Sequence, residues 1–459
     1  MSGFKFNLEP KEVPIVNTKY RKIKTALPHP ESINLFSELD KYESTSMHGQ
    51  LPVIWDKASG IQVEDPWGNK WLDFTSTIFV ANAGHGNPKI VNALQRTLKK
   101  PLLHTYTYAH KERVEYLKYL IENTPKQFEK AFMLSAGTEA TECALKLIRM
   151  NGQKNSKKKG GIICISGNWH GRTLGAQMLC SLESQKEWIG SNDPNIHHIS
   201  FPYPWLEEVK ENSVTFFENE IKKLLELKNI NPDDLCGFIL ETFQGWGAVF
   251  YPKPFVKAVE SYAKKNNMLL AFDEMQSGFG RTGTLFGYEN YDVKADLLCL
   301  GKGASSSLPL SIVLGSKEVM DLPDIGSMSS THSANPMVCA AGLANMKCII
   351  EDGLIENSKT LGEAFHDELN KLKIKNSSVI SDILGKGLLA AIHFNDENRK
   401  PLSSIADKVA ELCMQKGLLV VHTGRETIKL APPLVINKDA LMEGINVLDE
   451  SITEVLSRA

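Results

Sequence analysis

Leu269-Leu270-Ala271-Phe272-Asp273-Glu274-Met275-Gln276-Ser277-Gly278-Phe279-Gly280-Arg281-Thr282-Gly283, followed shortly by Leu297-Leu298-Cys299-Leu300-Gly301-Lys302-Gly303, carries the strongest structural signal in the chain. Each half is an apolar run that ends in a polar group: 268–272 runs into Asp273, and 297–300 runs into Gly301-Lys302. Short continuous runs bounded by turn residues read as strands buried on both faces, the pattern of a mostly parallel sheet. Ligands of such sheets bind beyond the carboxyl ends of the strands, so an acid and an amine are delivered to one crevice. Pyridoxal phosphate uses such a pair: a lysine holds its aldehyde as a Schiff base, and an acid keeps its pyridine nitrogen protonated. A strand-end aspartate with a surface lysine fits the same residues.

Outward from this stretch, 254–265 reads as a helix leading into it, and 235–240 as a further strand ending in Glu241-Thr242-Phe243-Gln244-Gly245-Trp246-Gly247. Earlier, 161–166 is a buried strand, followed by Gly167-Asn168-Trp169-His170-Gly171-Arg172-Thr173. An aromatic and an arginine on one strand-to-helix loop suit stacking on a planar ring and gripping a carboxylate. His170 is read there as a hydrogen-bonded structural histidine. Before it come a strand at 131–134, the turn Ser135-Ala136-Gly137-Thr138-Glu139, and an amphipathic helix at 140–150. Strand, small-residue turn and helix N-terminus outline a phosphate cradle. The same residues form a capping box, the reading favoured when the turn is taken alone. The lysine-rich 151–161 reads as a solvated loop. Strands alternating with helices predict a doubly wound α/β sheet with right-handed crossovers, and 308–314 is read as returning antiparallel.

At the N-terminal end, 1–50 reads as an arm with a short helix near 33–41. Residues 53–63 and 70–74 are strands of a hairpin or meander, turned by Asp65-Pro66-Trp67-Gly68-Asn69, with a helix at 89–99 after them. Residues 327–336 read as a loop. A helix at 337–351, a charged helix at 356–373, a strand at 387–394, a helix at 403–416, a strand at 418–422 and a final helix suggest a smaller α+β domain. The expected division is an N-terminal arm and small-domain segment at 1–80, a large domain at 81–338 and a C-terminal small domain at 339–459.

Composition narrows the partners. Apolar residues make up 42% and charged residues 23% of 459, as in an ordinary water-soluble domain, and the net charge of −2 provides no basic field for nucleic acid or anionic lipid. The eight cysteines are scattered without a Cys-x-x-Cys pair, the usage expected of reduced thiols in a cytoplasmic protein. No run reads as a signal peptide or a membrane span.

In this order the motifs resemble those of the class III aminotransferases. These are pyridoxal-phosphate enzymes of fold type I that include 4-aminobutyrate, ornithine and acetylornithine aminotransferases. The resemblance spans roughly residues 50–440 and is most specific over Phe272–Gly283 with Gly301-Lys302-Gly303. It implies that Lys302 carries the cofactor as a Schiff base and later moves the α-proton. It further implies that Asp273 pairs with the pyridine nitrogen and Gln276 approaches the phenolic oxygen. Met275 would pack on one ring face, with Trp169, in the family's aromatic position, on the other. Gly137 and Thr138 would hold the phosphate. Thr331 matches a threonine that reaches the phosphate of a neighbouring subunit, which implies a homodimer with shared active sites. Arg172 falls where 4-aminobutyrate and ornithine enzymes bind a substrate carboxylate, with Glu241 beside it in support. The implied reaction moves an amino group between an amino acid or amine and an oxo acid or aldehyde. Racemases, epimerases and phospholyases share the scaffold and remain alternatives.

The chain departs from the family at one place. Many members pair a glutamate, in Gln-Gly-Glu, with an arginine just before Pro-Pro-Leu, a gate that admits an α-carboxylate. Here those positions hold Trp246 and Lys429. Lysine is a poorer bidentate partner for carboxylate than arginine. Trp246 adds an apolar wall, which suggests a substrate amine bulkier or less charged than glutamate. Arg425, close by in sequence, reads as a surface residue. Ser305, Ser306 and Ser307 suit either polar contacts near Lys302 or a plain turn.

Overall fold

The structure, a computed structural model, describes residues 4–154 and 156–458. Residues 1–3 of the expected arm and Asn155 of the expected loop lie outside the described residues. Seven strands form the central sheet: β1 (Lys130–Leu134), β2 (Gly161–Ile165), β3 (Ile196–Ile199), β4 (Leu235–Glu241), β5 (Leu269–Asp273), β6 (Leu297–Leu300) and β7 (Ser311–Gly315). Their order across the sheet is β1-β7-β6-β5-β4-β2-β3. β7 alone runs antiparallel to its neighbours β6 and β1, and the pairs from β6 through β3 are parallel.

Strand alternation divides the core into two layers. Ile162, Cys164, Ile239, Ala271, Leu297 and Cys299 pack with Ala144, Leu147 and Ile148 of the helix Gly137–Gln153. Their neighbours Ile163, Phe238, Leu240, Leu270, Phe272 and Leu298 pack with Phe217 and Phe255 of the helices Glu207–Lys228 and Lys253–Lys265. A period of two along each strand with apolar residues at both phases is what a sheet covered by helices on both sides requires. Each fully buried leucine, isoleucine or phenylalanine contributes about 1.5–3 kcal/mol. The register places Asp273 opposite Glu241 on one side and Cys299 on the other. The carboxyl ends of β4, β5 and β6 therefore meet at one edge, and Lys302 follows two residues beyond β6.

Besides the two-stranded pair Phe243–Gln244 and Val249–Phe250, two larger sheets occur among the described residues. Near the N-terminus, Lys57–Ser59, Gln62–Glu64 and Lys70–Asp73 form an antiparallel meander, and Leu418–Leu419 adds parallel to Lys70–Asp73. The second sheet contains β8 (Ile380–Lys386), β9 (Leu389–Phe394), β10 (Val421–His422) and β11 (Thr427–Leu430), in the order β8-β9-β11-β10.

Several sequence readings change. The run 53–63 is not one strand, because Gly60, at φ 58°, turns the chain inside it. The strand at 418–422 splits into two short strands that join different sheets. Residues 151–153 continue the preceding helix rather than opening a loop. No element was expected for β3, β8, β11 or the helices Lys111–Glu122 and Glu207–Lys228. All eight cysteines are free and buried. No helix among the described residues is long and apolar enough to cross a membrane.

Candidate active site

Asp273 closes β5 and is buried, with one oxygen accepting from the Met275 N–H (3.0 Å) and the other from His170 Nδ1 (2.9 Å). A carboxylate accepts only, so His170 carries its proton on Nδ1. Its Nε2 is buried without a partner. The reading of His170 as a hydrogen-bonded histidine holds, but its partner is the central acid itself. Both residues sit at carboxyl ends of parallel strands with only β4 between them, a proximity that strand order reveals and sequence spacing does not.

Lys302 begins the turn after β6 with φ 44°, in the left-handed region that L-residues rarely occupy. Its side chain is surrounded by protein but remains partly exposed. Desolvation lowers its pKa, and the nearby Asp273 and Glu241 carboxyls oppose that shift. Met275 packs where a Cβ on Gly137 would stand 2.9 Å from its sulfur, and a Cβ on Gly301 would collide with the same atom. Those two glycines let Met275 lie between the phosphate-cradle turn and the turn carrying Lys302.

The turn 135–139 takes the capping form, with its next N–H groups left open. Glu139 accepts from the Ser135 and Ala136 N–H groups (2.7 and 3.1 Å), which is the capping half. Among the described residues the N–H groups of Gly137 and Thr138 have no partner, so the first turn still faces outward with anion-binding donors. Thr138 Oγ1 also meets Thr173 Oγ1 at 2.5 Å, joining this turn to the loop that carries Trp169 and Arg172.

Glu241 ends β4. It does not pair with Arg172: its carboxylate accepts from the N–H groups of Trp169 (3.0 Å) and Gly245 (3.3 Å). Burial raises its pKa from 4.5 to about 7, with the His170 field opposing and Asp273 adding to the rise. Arg172 lies over the exposed Trp169 ring at 4.0 Å and donates to Gln185 Oε1 (2.8 Å). The alignment of these groups therefore comes from Glu241 holding the Trp169 backbone, with Arg172 left at the mouth.

Lys429 lies on β11 and is buried. Its Nζ donates to Gln276 Oε1 (2.9 Å) and to the Gly245 carbonyl (2.7 Å), and it stands over the Phe79 ring at 4.6 Å. Burial and the neighbouring Lys302 pull its pKa down to about 7, against an opposing pull from Glu241. Trp246 stacks with Arg425 at 3.9 Å, and Arg425 remains partly exposed, so the surface reading stands with the Trp246 ring as its partner. Thr331 is exposed on its loop, with its carbonyl accepting from His104, and no hydrogen bond of the described residues joins it to the Lys302 cluster. Ser305 to Ser307 form a turn whose Ser306 binds Asn345 Oδ1 (2.5 Å) and accepts from the Ala83 N–H (3.0 Å).

Two supports escaped the sequence reading. Arg281 is fully buried and donates to the carbonyls of Leu388 (2.9 Å) and Pro432 (2.6 Å), to Asn82 Oδ1 (2.7 Å) and to Ser76 Oγ (3.2 Å). Ser76, Thr77, Ile78 and Phe79 all have positive φ (47°, 51°, 59° and 71°), a left-handed turn without glycine. Such backbone costs about 1–2 kcal/mol per residue, which the Ser76 bonds to Arg281 and to the Ala431 carbonyl (2.6 Å) help offset. Glycine or asparagine would have signalled this turn, and neither occurs in it.

The class-III aminotransferase family matches residues 44–452. The chain belongs to that family. Enzymes of this class depend on pyridoxal phosphate, and the chain is a pyridoxal-phosphate-dependent aminotransferase with the corresponding α/β fold. Ornithine aminotransferase of Saccharomyces cerevisiae is 33% identical over 90% of this chain and 96% of its own. An alanine/serine racemase of Pyrococcus horikoshii is 29% identical over 98% and 97%. Among solved structures, a transaminase from the marine bacterium Virgibacillus superposes with a TM-score of 0.83 at 25% identity, covering 93% of this chain and 99% of that one. An ornithine aminotransferase from Toxoplasma gondii, described with partial occupancy of pyridoxal phosphate at its active site, scores 0.81 at 25% identity, covering 94% and 96%.

The aminotransferase site also carries a pH-dependent load. Because the folded pKa of Glu241 is raised, its contribution is fully present below about pH 4.5 and is lost as pH rises through about 7. Glu241→Gln keeps an acceptor for the Trp169 and Gly245 N–H groups but cannot ionise. The variant should gain stability over the parent between pH 5 and pH 8, by at most about 3 kcal/mol. Melting curves at both pH values check this, and a difference that stays flat contradicts the buried-carboxylate assignment.

Proposed function

We propose that Lys302 is the amine that takes the aldehyde carbon of pyridoxal phosphate, within a site that favours an ω-amine donor over an α-amino acid of glutamate type. The observation that carries this reading is Lys302 within electrostatic reach of Asp273, beside a gate-position Lys429 that is engaged internally with Gln276. The residues fit the cofactor. The two free N–H groups at Gly137 and Thr138 suit a phosphate, Trp169 suits a ring face, and Met275 suits the opposite face. Stacking on Trp169 contributes about 0.5–1.5 kcal/mol.

When bound, the cofactor supplies an electrophilic carbon and an electron sink for the pair left at the donor carbon. The chain does the rest. Asp273 favours a proton on the group facing it, a shift of about 1–3 pKa units for an opposed charge, and His170 keeps its carboxylate aimed. Lys302, whose pKa burial lowers against the pull of Asp273 and Glu241, moves the donor's proton. Arg172, at the mouth, offers a guanidinium to a distal carboxylate on donor or acceptor. Lys429 spends two donors on Gln276 and Gly245, so the gate does not provide a free cation for an α-carboxylate.

A homodimer follows from the same reading. The 102–108 segment reaches the Thr331 loop, through His104 to the Thr331 carbonyl and Tyr106 to Ser329 Oγ (2.8 Å). The exposed Leu98, Leu102, Leu103 and Val114 supply an apolar face nearby for a second copy. Thr331 would then serve the partner's phosphate.

The test is a half-reaction screen of amines and amino acids against the purified protein carrying pyridoxal phosphate. An ω-amine is expected to convert the visible absorbance to that of the pyridoxamine form, faster than glutamate does. Deuterium exchange at Cα without oxo product would instead assign isomerisation, and inertness to every donor would remove the transfer reading.

A further inference from the structure

Lys429 is a buried lysine on β11, between β9 and β10, that the transfer chemistry does not itself use. Its Nζ spans two acceptors, Gln276 Oε1 at 2.9 Å and the Gly245 carbonyl at 2.7 Å. The first contact orients an amide: with Oε1 committed to an ammonium, Gln276 must present Nε2 in the other direction. Among the described residues that Nε2 has no hydrogen-bond partner, and it lies so close to Gly245 that any Cβ there would collide with it. The second contact holds the Gly245 peptide from one side while Glu241 holds its N–H from the other (3.3 Å). Glu241 in turn holds the Trp169 N–H (3.0 Å). One ammonium therefore sits at the junction of the two loops that flank the cleft.

The surroundings keep it there. Phe79 covers the ammonium at 4.6 Å from the strained turn at Ser76–Phe79. On β11, Lys429 pairs with Ala391 of β9 and Val421 of β10, so neither sheet neighbour offers it a competing charge. Thr427, two residues earlier on the same face of β11, donates to the Trp246 carbonyl (3.1 Å), and His393 of β9 donates to the Gly247 carbonyl (2.8 Å). Side chains 393, 427 and 429 thus clamp three successive peptides, Gly245 to Gly247. The charged groups facing Lys429 are Lys302, from the turn after β6, and Glu241, at the end of β4.

We propose that Lys429 is a positioning residue: by bridging Gln276 Oε1 and the Gly245 carbonyl it fixes the direction in which Gln276 Nε2 donates and sets the separation of the loops carrying Gln276 and Trp246. It acts through Gln276 rather than by binding the substrate carboxylate. This rests on the transfer function proposed above, and Gln276 Nε2 then faces the cofactor ring.

The experiment compares Lys429→Met, Lys429→Arg, Gln276→Leu and the double variant Lys429→Met/Gln276→Leu, each as the pyridoxal phosphate holoenzyme. Lys429→Met should lower kcat by about 10–100-fold, the cost of a small misplacement, with KM for the amine nearly unchanged. It should also move the pH midpoint of the bound cofactor's visible absorbance, a readout that needs no substrate. Lys429→Arg retains a donor to both acceptors and should recover most of each effect. Gln276→Leu should reproduce the Lys429→Met signature, and the double variant should be no worse than Gln276→Leu alone. A rise in KM with kcat intact would make Lys429 a substrate-binding group and overturn the proposal. Multiplying effects in the double variant, or an unmoved absorbance midpoint, would overturn it equally. If Lys429→Met does not fold, the comparison of Lys429→Arg with Gln276→Leu decides: an arginine variant as impaired as Gln276→Leu contradicts the bridge. A wild-type protein inert to all donors whose absorbance midpoint still responds to Lys429→Met would refute transfer and leave the bridge standing.

Discussion

Lys302→Ala is expected to leave a folded protein with turnover at background, a loss of more than about 10⁴-fold, the upper end of what one positioned acid–base group contributes. Protein surrounds and desolvates the Lys302 amine, and among the described residues its Nζ makes no hydrogen bond or ion pair, so cohesion does not depend on it. Removing it relieves a desolvation cost while deleting the only amine placed two residues beyond β6. Far-ultraviolet circular dichroism and melting temperature should stay close to wild type, while half-reaction absorbance changes vanish for every donor. Retention of substantial turnover would assign the chemistry elsewhere, with Lys429 as the first candidate.

Asp273→Ala should lose about 10²–10³ in kcat, the scale for removing one preorganised electrostatic partner. The carboxylate is held from two sides, by the Met275 N–H and by His170 Nδ1, so it cannot relax away from the group it faces. Alanine would leave His170 with both ring nitrogens buried and unpartnered, adding a stability cost of about 1–3 kcal/mol. Asp273→Asn separates the two effects: its oxygen accepts from the Met275 N–H, its amide nitrogen donates to His170 Nδ1 once that ring takes its other tautomer, and it carries no charge. It is expected to fold like wild type, bind the cofactor and still lose most of the rate. Stopped-flow measurement of the half-reaction checks this, and an asparagine variant at wild-type speed would mean that the charge of Asp273 is not what the reaction uses.

The parts of the site that were legible in the sequence are those carried by strand ends. Asp273 and Lys302 each terminate a continuous apolar run, and a parallel sheet delivers such termini to one edge, so pattern and topology agree. The Gly137-Thr138 turn was legible for the same reason, as the start of a helix after a strand. Lys429 was legible only as a departure from a family pattern. It lies on a four-residue strand whose alternation is too short to register, and its partners Gln276 and Gly245 lie far away in sequence. His170 was read as structural because nothing in its loop names a partner; the Asp273 bond exists because β2 and β5 are separated by a single strand. The helix Glu207–Lys228 went unread for a related reason. It is strongly charged, and its regular φ/ψ is broken at Asn212 (φ −160°, ψ 101°), so its apolar stripe is interrupted. The turn at Ser76–Phe79 is the extreme case: β-branched and aromatic residues adopt a backbone that their own preferences oppose, held by local bonds such as the Phe79 N–H to the Thr75 carbonyl and by tertiary bonds of Ser76 with Arg281 and Ala431.

Lys302 and Lys429, both with depressed pKa values, lie within electrostatic reach of one another, and only one of them can carry the cofactor aldehyde. Borohydride reduction of the protein loaded with pyridoxal phosphate, followed by digestion and mass mapping of the modified peptide, discriminates between them in one measurement. The added mass is expected on Lys302, in the peptide that includes Gly301-Lys302-Gly303. Its appearance on Lys429, or on a surface lysine with Lys302 unmodified, would contradict the account.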